Sequence, residues 1–216
     1  MAKFKAALFD MDGLLFDSER IGLIEMIAAG REQGIEMEEE PVRATIGKTI
    51  EAAKQVYMEW YPALDYDALR ISFTNRMQQL AATGNMPLKE GVRELLEVLK
   101  AHQIPMAVAS SSEESTIRSY LENAGILHYF DALVSGVDMP RSKPAPDIFL
   151  AAADKLHVDP RDCLVLEDSY NGVKAGRAAH CTVCMVPDIL PYYDELSPFV
   201  DHLLPSLTHV IPLFTA

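Results

Sequence analysis

Five short apolar runs recur along the chain, each closing in polar or Gly/Ser-rich residues: AALF (6–9), PMAVAS (105–110), ALVSG (132–136), CLVLED (163–168) and CTVCMV (181–186). Runs of this length without polar alternation predict strands buried on both faces, as in a parallel sheet. Amphipathic stretches separate most of them. In GVRELLEVLKAHQ (91–103), Val92, Leu95, Leu96 and Leu99 share one face of a helix. EESTIRSYLENAG (113–125) has Ser and Glu near its start and Gly125 at its end, the marks of a capped helix. DIFLAAADKLHV (147–158) follows Pro146, and NGVKAGRAA (171–179) links the last two runs. Strands alternating with helices predict an α/β fold around a parallel sheet.

Residues 18–86 break this rhythm. No convincing strand lies there; SERIGLIEMIAAGREQ (18–33), IEAAKQVYMEWY (50–61) and DALRISFTNRMQQLAAT (67–83) all read as helices. The pattern predicts a core domain made of residues 1–17 and 87–216, with an all-helical cap domain, 18–86, inserted after the first strand. Hinges are expected near residues 16–18 and 85–89, where Gly84 and Pro87 punctuate the chain. EMEEE (36–40) reads as solvated surface.

Composition narrows the functional classes. Apolar residues make up 49% of the 216, enough for a sizeable core and against disorder. A formal net charge of -13 disfavours nucleic acid and anionic membranes as partners. It also disfavours long-range attraction of an anionic substrate, so a phosphate site would need local cations. Cys163, Cys181 and Cys184 are too few and too odd in number for a disulfide framework. Cys181 and Cys184 have C-x-x-C spacing beside His180, but no second ligand pair is near and the run around them reads as a strand. Core packing is the reading there, with redox or zinc chemistry competing. No apolar run approaches the roughly 18 residues of a membrane span. MAKFKAALFDMDG is wrong for a signal peptide, because its apolar stretch meets Asp10 and Asp12 at once. The expectation is a cytoplasmic monomer with no membrane or nucleic-acid partner.

Four polar clusters sit where the predicted strands end or helices begin. FDMDGLLFDS (9–18) puts Asp10 and Asp12 at the end of the first strand; acids there also serve as simple terminators or turn formers. ASSS (109–112) places Ser110 and Ser111 where hydroxyls and backbone N–H groups suit a phosphate, or merely cap a helix. In SKPAPD (142–147), Lys143 is biased towards extended backbone by Pro144, although a lone lysine is usually surface. LEDSYNG (166–172) ends a strand with Glu167 and Asp168, a hard-cation site or a cap for the next helix. In a parallel sheet these ends share one edge. Carboxylates, hydroxyls and one ammonium gathered there are what phosphoryl transfer needs.

These four motifs, in this order, resemble those of the haloacid dehalogenase superfamily over essentially the whole chain. The insert resembles the cap of its β-phosphoglucomutase-like branch. FDMDGLLFDSER, IGKTIEAA and CLVLEDSYNGVKAG are similar to pseudouridine 5'-phosphatase-like and sugar-phosphate phosphatase members. The resemblance implies a Rossmann-like core with helices on both faces, and a small phosphate ester as substrate. It implies that Asp10 is the nucleophile, forming an aspartyl-phosphate, and that Asp12 is the general acid and base. It implies Mg2+ held by Asp10, the carbonyl of Asp12, Asp168 and, directly or from behind, Glu167. Ser110, Ser111 and Lys143 would hold the phosphoryl oxygens. An acid at Asp12 sets the chain apart from the dehalogenases and phosphonatases of the superfamily, which lack one there. Substrate choice would lie in the cap, with Gly47, Lys48, Thr49 and the segment Tyr57, Met58, Glu59, Trp60 and Tyr61 as candidates. The aromatics of that segment also suit cap core.

Two other functions compete with a phosphatase. A phosphoglucomutase-type isomerase would carry an arginine in the cap where Ile50 stands, and Lys48 replaces it only as a point charge. A non-catalytic phosphometabolite-binding protein would keep the fold without turnover.

Overall fold

The computed structural model describes residues 4–46 and 48–215. Strand β1 (Ala6–Phe9) leads into four helices, α1 (Ser18–Glu32), α2 (Glu39–Arg43), α3 (Ile50–Trp60) and α4 (Tyr66–Ala82). The chain continues through α5 (Val92–Ala101), β2 (Met106–Ser110), α6 (Glu114–Asn123), β3 (Ala132–Ser135) and α7 (Asp147–Lys155). It ends through β4 (Cys163–Glu167), α8 (Tyr170–Ala178), β5 (Thr182–Met185) and β6 (His202–Leu203), followed by short helical turns. Two compact units result: a core unit, up to Asp17 and from Pro87 onward, and a helical unit, Ser18–Met86.

In the core unit all strand pairs are parallel and the order is β3-β2-β1-β4-β5-β6. This is a Rossmann-like α/β sheet. Every residue of β1, β2 and β4 is buried, which is why their sequences carry no alternation. Successive side chains still point to opposite faces. Ala6, Leu8, Ala107, Ala109, Cys163 and Val165 pack with Ile148, Phe149, Ala152 and Ala153 of α7 and Val173 and Ala175 of α8. The alternate residues Ala7, Phe9, Met106, Val108, Leu164 and Leu166 are equally buried, and Phe9 meets Phe130 edge to face at 5.7 Å. Cys163, Cys181 and Cys184 are free and buried. Burial pushes their thiols up to about 12, so they behave as inert core residues.

Strand β6 is absent from the sequence reading because it has only two residues and no apolar run. It is held by its neighbour Asp201, which accepts a bond from Val183 N at 2.9 Å and donates its own N–H to Val183 O at 2.9 Å. The chain leaves and re-enters the core unit side by side. Phe16 forms a single antiparallel bridge with Leu88. Asp17 N donates to Pro87 O at 2.9 Å and Lys89 N to Leu15 O at 3.0 Å.

In the helical unit α1 and α4 lie against each other. Arg76 of α4 donates to Glu25 at 2.6 Å and Glu32 at 2.9 Å of α1. Tyr57 of α3 is buried and its ring stacks at a tilt on Tyr66 at 5.8 Å, whereas Trp60 is half exposed. The aromatic segment therefore divides between core and surface. The acids of EMEEE are exposed as expected, but Glu39 and Glu40 open α2 and Met37 is buried. Met37 fits because Gly30 has no side chain: a Cβ there would lie 2.2 Å from its sulfur. Among the described residues no helix is long and apolar enough to cross a membrane.

Gly91, which caps α5, has φ +83°, and a Cβ there would stand 2.3 Å from Thr208 N. A left-handed alanine costs about 1–2 kcal/mol, and forced overpacking about 1–3 more. Gly91→Ala is expected to lower the melting temperature by about 6–12 °C, taking roughly 3 kcal/mol at 2–4 °C each. A scanning melt that moves by less than about 2 °C would show that this contact yields freely.

Candidate active site

Three of the four polar clusters are delivered by the ends of strands. β1 stops at Phe9 and Asp10 follows; β2 ends on Ser110; β4 ends on Glu167, with Asp168 next. β1 is hydrogen-bonded to both β2 and β4, so these ends are neighbours at the carboxyl edge of the sheet. Lys143 arrives from the other direction, in the turn that precedes α7.

Lys143 is the hub. Its ammonium donates to Asp10 Oδ1 at 2.5 Å, Glu167 Oε1 at 2.7 Å and Ala109 O at 3.2 Å. Those three bonds use the whole donor capacity of an ammonium. Phe149 lies beneath it, with the nitrogen 5.1 Å from the ring centroid. A buried lysine is costly unless paired. Here burial works against its charge, but Asp10 and Glu167 outweigh it and hold the pKa above its ordinary value.

Glu167 is wholly buried, and its second oxygen accepts from Ser169 N at 2.8 Å and Ser169 Oγ at 2.9 Å. Ser169 caps α8, accepting from Gly172 N at 3.1 Å. Gly172 in turn leaves room for the carboxylate: a Cβ there would fall 1.7 Å from Glu167 Oε1. Ser169 and Gly172 stand in LEDSYNG, beyond the residues that the sequence assigns to the site. The glycine in the first turn of a predicted helix was the available signal, since glycine there has to answer to a neighbour.

One carboxylate oxygen from each of Asp10, Glu167 and Asp168 lies within 4.8 Å of the others, and among the described residues no other group of His, Cys, Asp or Glu gathers this way. The donor set is all oxygen, which suits a hard divalent cation such as Mg2+. The electrostatics agree. Burial pushes the carboxyl of Asp10 up to about 7; Lys143 opposes the rise, and Glu167 and Asp12 add to it. Four acids around one ammonium leave uncompensated negative charge, and a cation at the trio would relieve it.

Asp12 is half-buried, bridged through its backbone to Phe16 and close enough to raise Asp10. Ser110 is buried, and its Oγ accepts from Ser112 N at 3.1 Å; Ser111 beside it is exposed. The core unit thus gathers Asp10, Asp12, Ser110, Lys143, Glu167 and Asp168. Lys48 belongs to the helical unit, where it is exposed and its N–H donates to Thr45 O at 3.0 Å. Gly47 lies outside the described residues.

A family model described as haloacid dehalogenase-like hydrolase matches residues 4–180. The chain is 33% identical over 187 residues to hexitol phosphatase B of Escherichia coli, covering 84% of this chain and 83% of that protein. It is 34% identical over 203 residues to the probable pseudouridine-5'-phosphatase of Drosophila melanogaster, covering 87% and 84%. Among solved structures, a HAD family hydrolase from Deinococcus radiodurans with bound phosphate and sodium superposes with a TM-score of 0.83 at 26% identity, covering 100% of this chain and 99% of that one.

The raised carboxyl of Asp10 makes a prediction about stability. Its pKa of about 7 when folded exceeds the ordinary 3.8, so its contribution is full below about pH 4 and lost as pH rises through 7. In EDTA, wild type is expected to lose about 2–3 kcal/mol relative to Asp10→Asn between pH 5 and pH 8. Denaturant melts of the two proteins across that range test it, and a constant difference would contradict it.

Proposed function

We propose, for a chain that belongs to the haloacid dehalogenase-like hydrolases and is a phosphoric monoester hydrolase, that it hydrolyses a small phosphorylated metabolite through an aspartyl-phosphate on Asp10, with Mg2+ as its cofactor. The observation that carries this reading is Asp10 itself: a buried carboxylate between one ammonium and two further acids at the carboxyl edge of the sheet.

A carboxylate needs no base to become a nucleophile once it is ionised. An oxygen of Asp10 attacks phosphorus, and the bond from phosphorus to the leaving alkoxide breaks. Asp12 gives that oxygen its proton. Asp12 then takes a proton from a water molecule, which attacks the phosphorus of the aspartyl-phosphate. Inorganic phosphate leaves and Asp10 is restored. Ser110 holds one phosphoryl oxygen while this happens, and Lys143, exchanging one of its three bonds for the substrate, holds another and supplies positive charge in a water-poor site. Asp10, Asp168 and the carbonyl of Asp12 would hold the metal, which when bound offsets the repulsion between carboxylate and phosphate. Both oxygens of Glu167 already accept hydrogen bonds, so its first task is to seat Lys143.

The substrate class follows the relatives. Hexitol phosphatase B and the probable pseudouridine-5'-phosphatase support a sugar phosphate or a nucleotide-like monophosphate. Selection between them is assigned to the helical unit as a cap domain, through Gly47, Lys48 and Thr49. Ile50, exposed at the start of α3, brings no charge for a second phosphate, which favours hydrolysis over isomerisation.

Asp10→Asn is expected to lower kcat on an aryl phosphate by at least about 10³-fold, and chelation of Mg2+ to abolish turnover. Activity that persists in the variant and in EDTA would remove the mechanism. Gly172→Ala tests the seat of Lys143 separately. Its methyl must displace Glu167, and a misplacement of about 1 Å costs on the order of 10²-fold in kcat/KM. Unchanged kinetics in Gly172→Ala would mean that the position of Glu167 is immaterial.

A further inference from the structure

Strand β3 carries none of the four motifs, yet its end is built around the serine loop. Ser110 and Ser135 stand opposite each other in the β2–β3 register. The hydroxyl of Ser135, which is 4% exposed, donates to Ser112 O at 2.9 Å and accepts from Val137 N at 3.2 Å. On the other side of the same peptide unit's residue, Ser112 N donates to Ser110 Oγ at 3.1 Å. Both backbone groups of Ser112 are therefore fixed, one by each strand end. Gly136 closes the contact. A Cβ there would stand 2.9 Å from Ser111 Cα and 3.2 Å from Ser110 O, both backbone atoms that cannot swing aside. The same Cβ would also touch Ile148 Cδ1 of α7 at 3.5 Å.

We propose that Ser135 and Gly136 are positioning residues for the phosphate-binding loop: they set the backbone of 110–112 so that Ser110, already accepting from Ser112 N, keeps its own hydroxyl proton for a phosphoryl oxygen. The inference rests on the reading of Ser110 as a phosphate ligand. Removing the Ser135 hydroxyl strands Ser112 O and Val137 N together in a part-buried place. An unsatisfied polar group of this kind costs enough to let the loop take other conformations. Neither residue is expected to touch substrate or take part in proton transfer, so the loss should fall on phosphate affinity and spare the chemical step.

The test uses the full chain with Mg2+, inorganic phosphate as the calorimetric ligand and an aryl phosphate for kinetics. Ser135→Ala is expected to raise the Kd for phosphate and the KM together, about tenfold, with kcat within about threefold of wild type. Ser135→Thr, which keeps the hydroxyl, is expected to stay within about twofold. Gly136→Ala, acting on the loop by contact, should reproduce the affinity loss. Unchanged phosphate affinity in both Ser135→Ala and Gly136→Ala, or a fall in kcat with KM untouched, overturns the proposal. Wild type that binds phosphate without turnover would retire the phosphatase reading and leave the binding comparison decisive for Ser135. Wild type that binds no phosphate overturns both.

Discussion

A single ammonium in a buried place organises this molecule's chemistry. Lys143 has its three protons committed to Asp10, Glu167 and the carbonyl of Ala109, three groups carried by the ends of three adjacent strands. A lysine removed from water survives as a cation only if partners replace the water. The partners are here because β1, β2 and β4 are neighbours and all run the same way. Displacing the end of β1 or β4 would leave a buried charge unbalanced, and displacing that of β2 would leave a buried N–H without its acceptor, so the site and the register of the central sheet are mutually dependent.

The surroundings of that network are made by omission as much as by contact. Gly172 gives Glu167 its space, and Gly136 gives Ser110 and Ser111 theirs. Each sits where a helix or strand end comes so close to a neighbour that a methyl group would collide with it. The polar groups on the far side are then satisfied in series: Glu167 by Ser169, Ser169 by Gly172 N, Ser112 by Ser110 and Ser135. Buried polar networks are costly when half made and rigid when complete. Rigidity of this kind is what a phosphoryl-transfer site requires, since little of its catalysis is covalent and most is placement.

Charge explains how an acidic protein serves an anionic substrate. With a net charge of -13, long-range attraction is not available. The countercharge is instead local and buried: one ammonium, with an all-oxygen trio beside it that suits a divalent cation. Burial raises the carboxyl of Asp10 against the pull of Lys143, and Glu167 and Asp12 add to the rise. Most of the remaining ion pairs, such as those of Arg76 with Glu25 and Glu32, lie at or near the surface and add little.

The sequence by itself determined the class of the fold, the places of five strands and the residues of the four clusters. These features are local or periodic: a strand buried on both faces must be apolar throughout, and a helix with one buried face must repeat its apolar positions. The two-residue β6 and the short α2 escaped because so brief an element leaves no period to detect. The sequence also left each cluster ambiguous, since Lys143 alone is a surface lysine and Ser110 alone is a cap. Only the tertiary structure decided that Lys143 is buried against Asp10 and Glu167, that Met37 fills the space left by Gly30, and that Ser135 and Gly136 brace the serine loop. The physical reason is distance along the chain. Lys143 and Asp10 are separated by 133 positions, and Ser135 and Ser112 by 23. No local pattern encodes which strand ends will be neighbours, and the order β3-β2-β1-β4-β5-β6 supplies that answer.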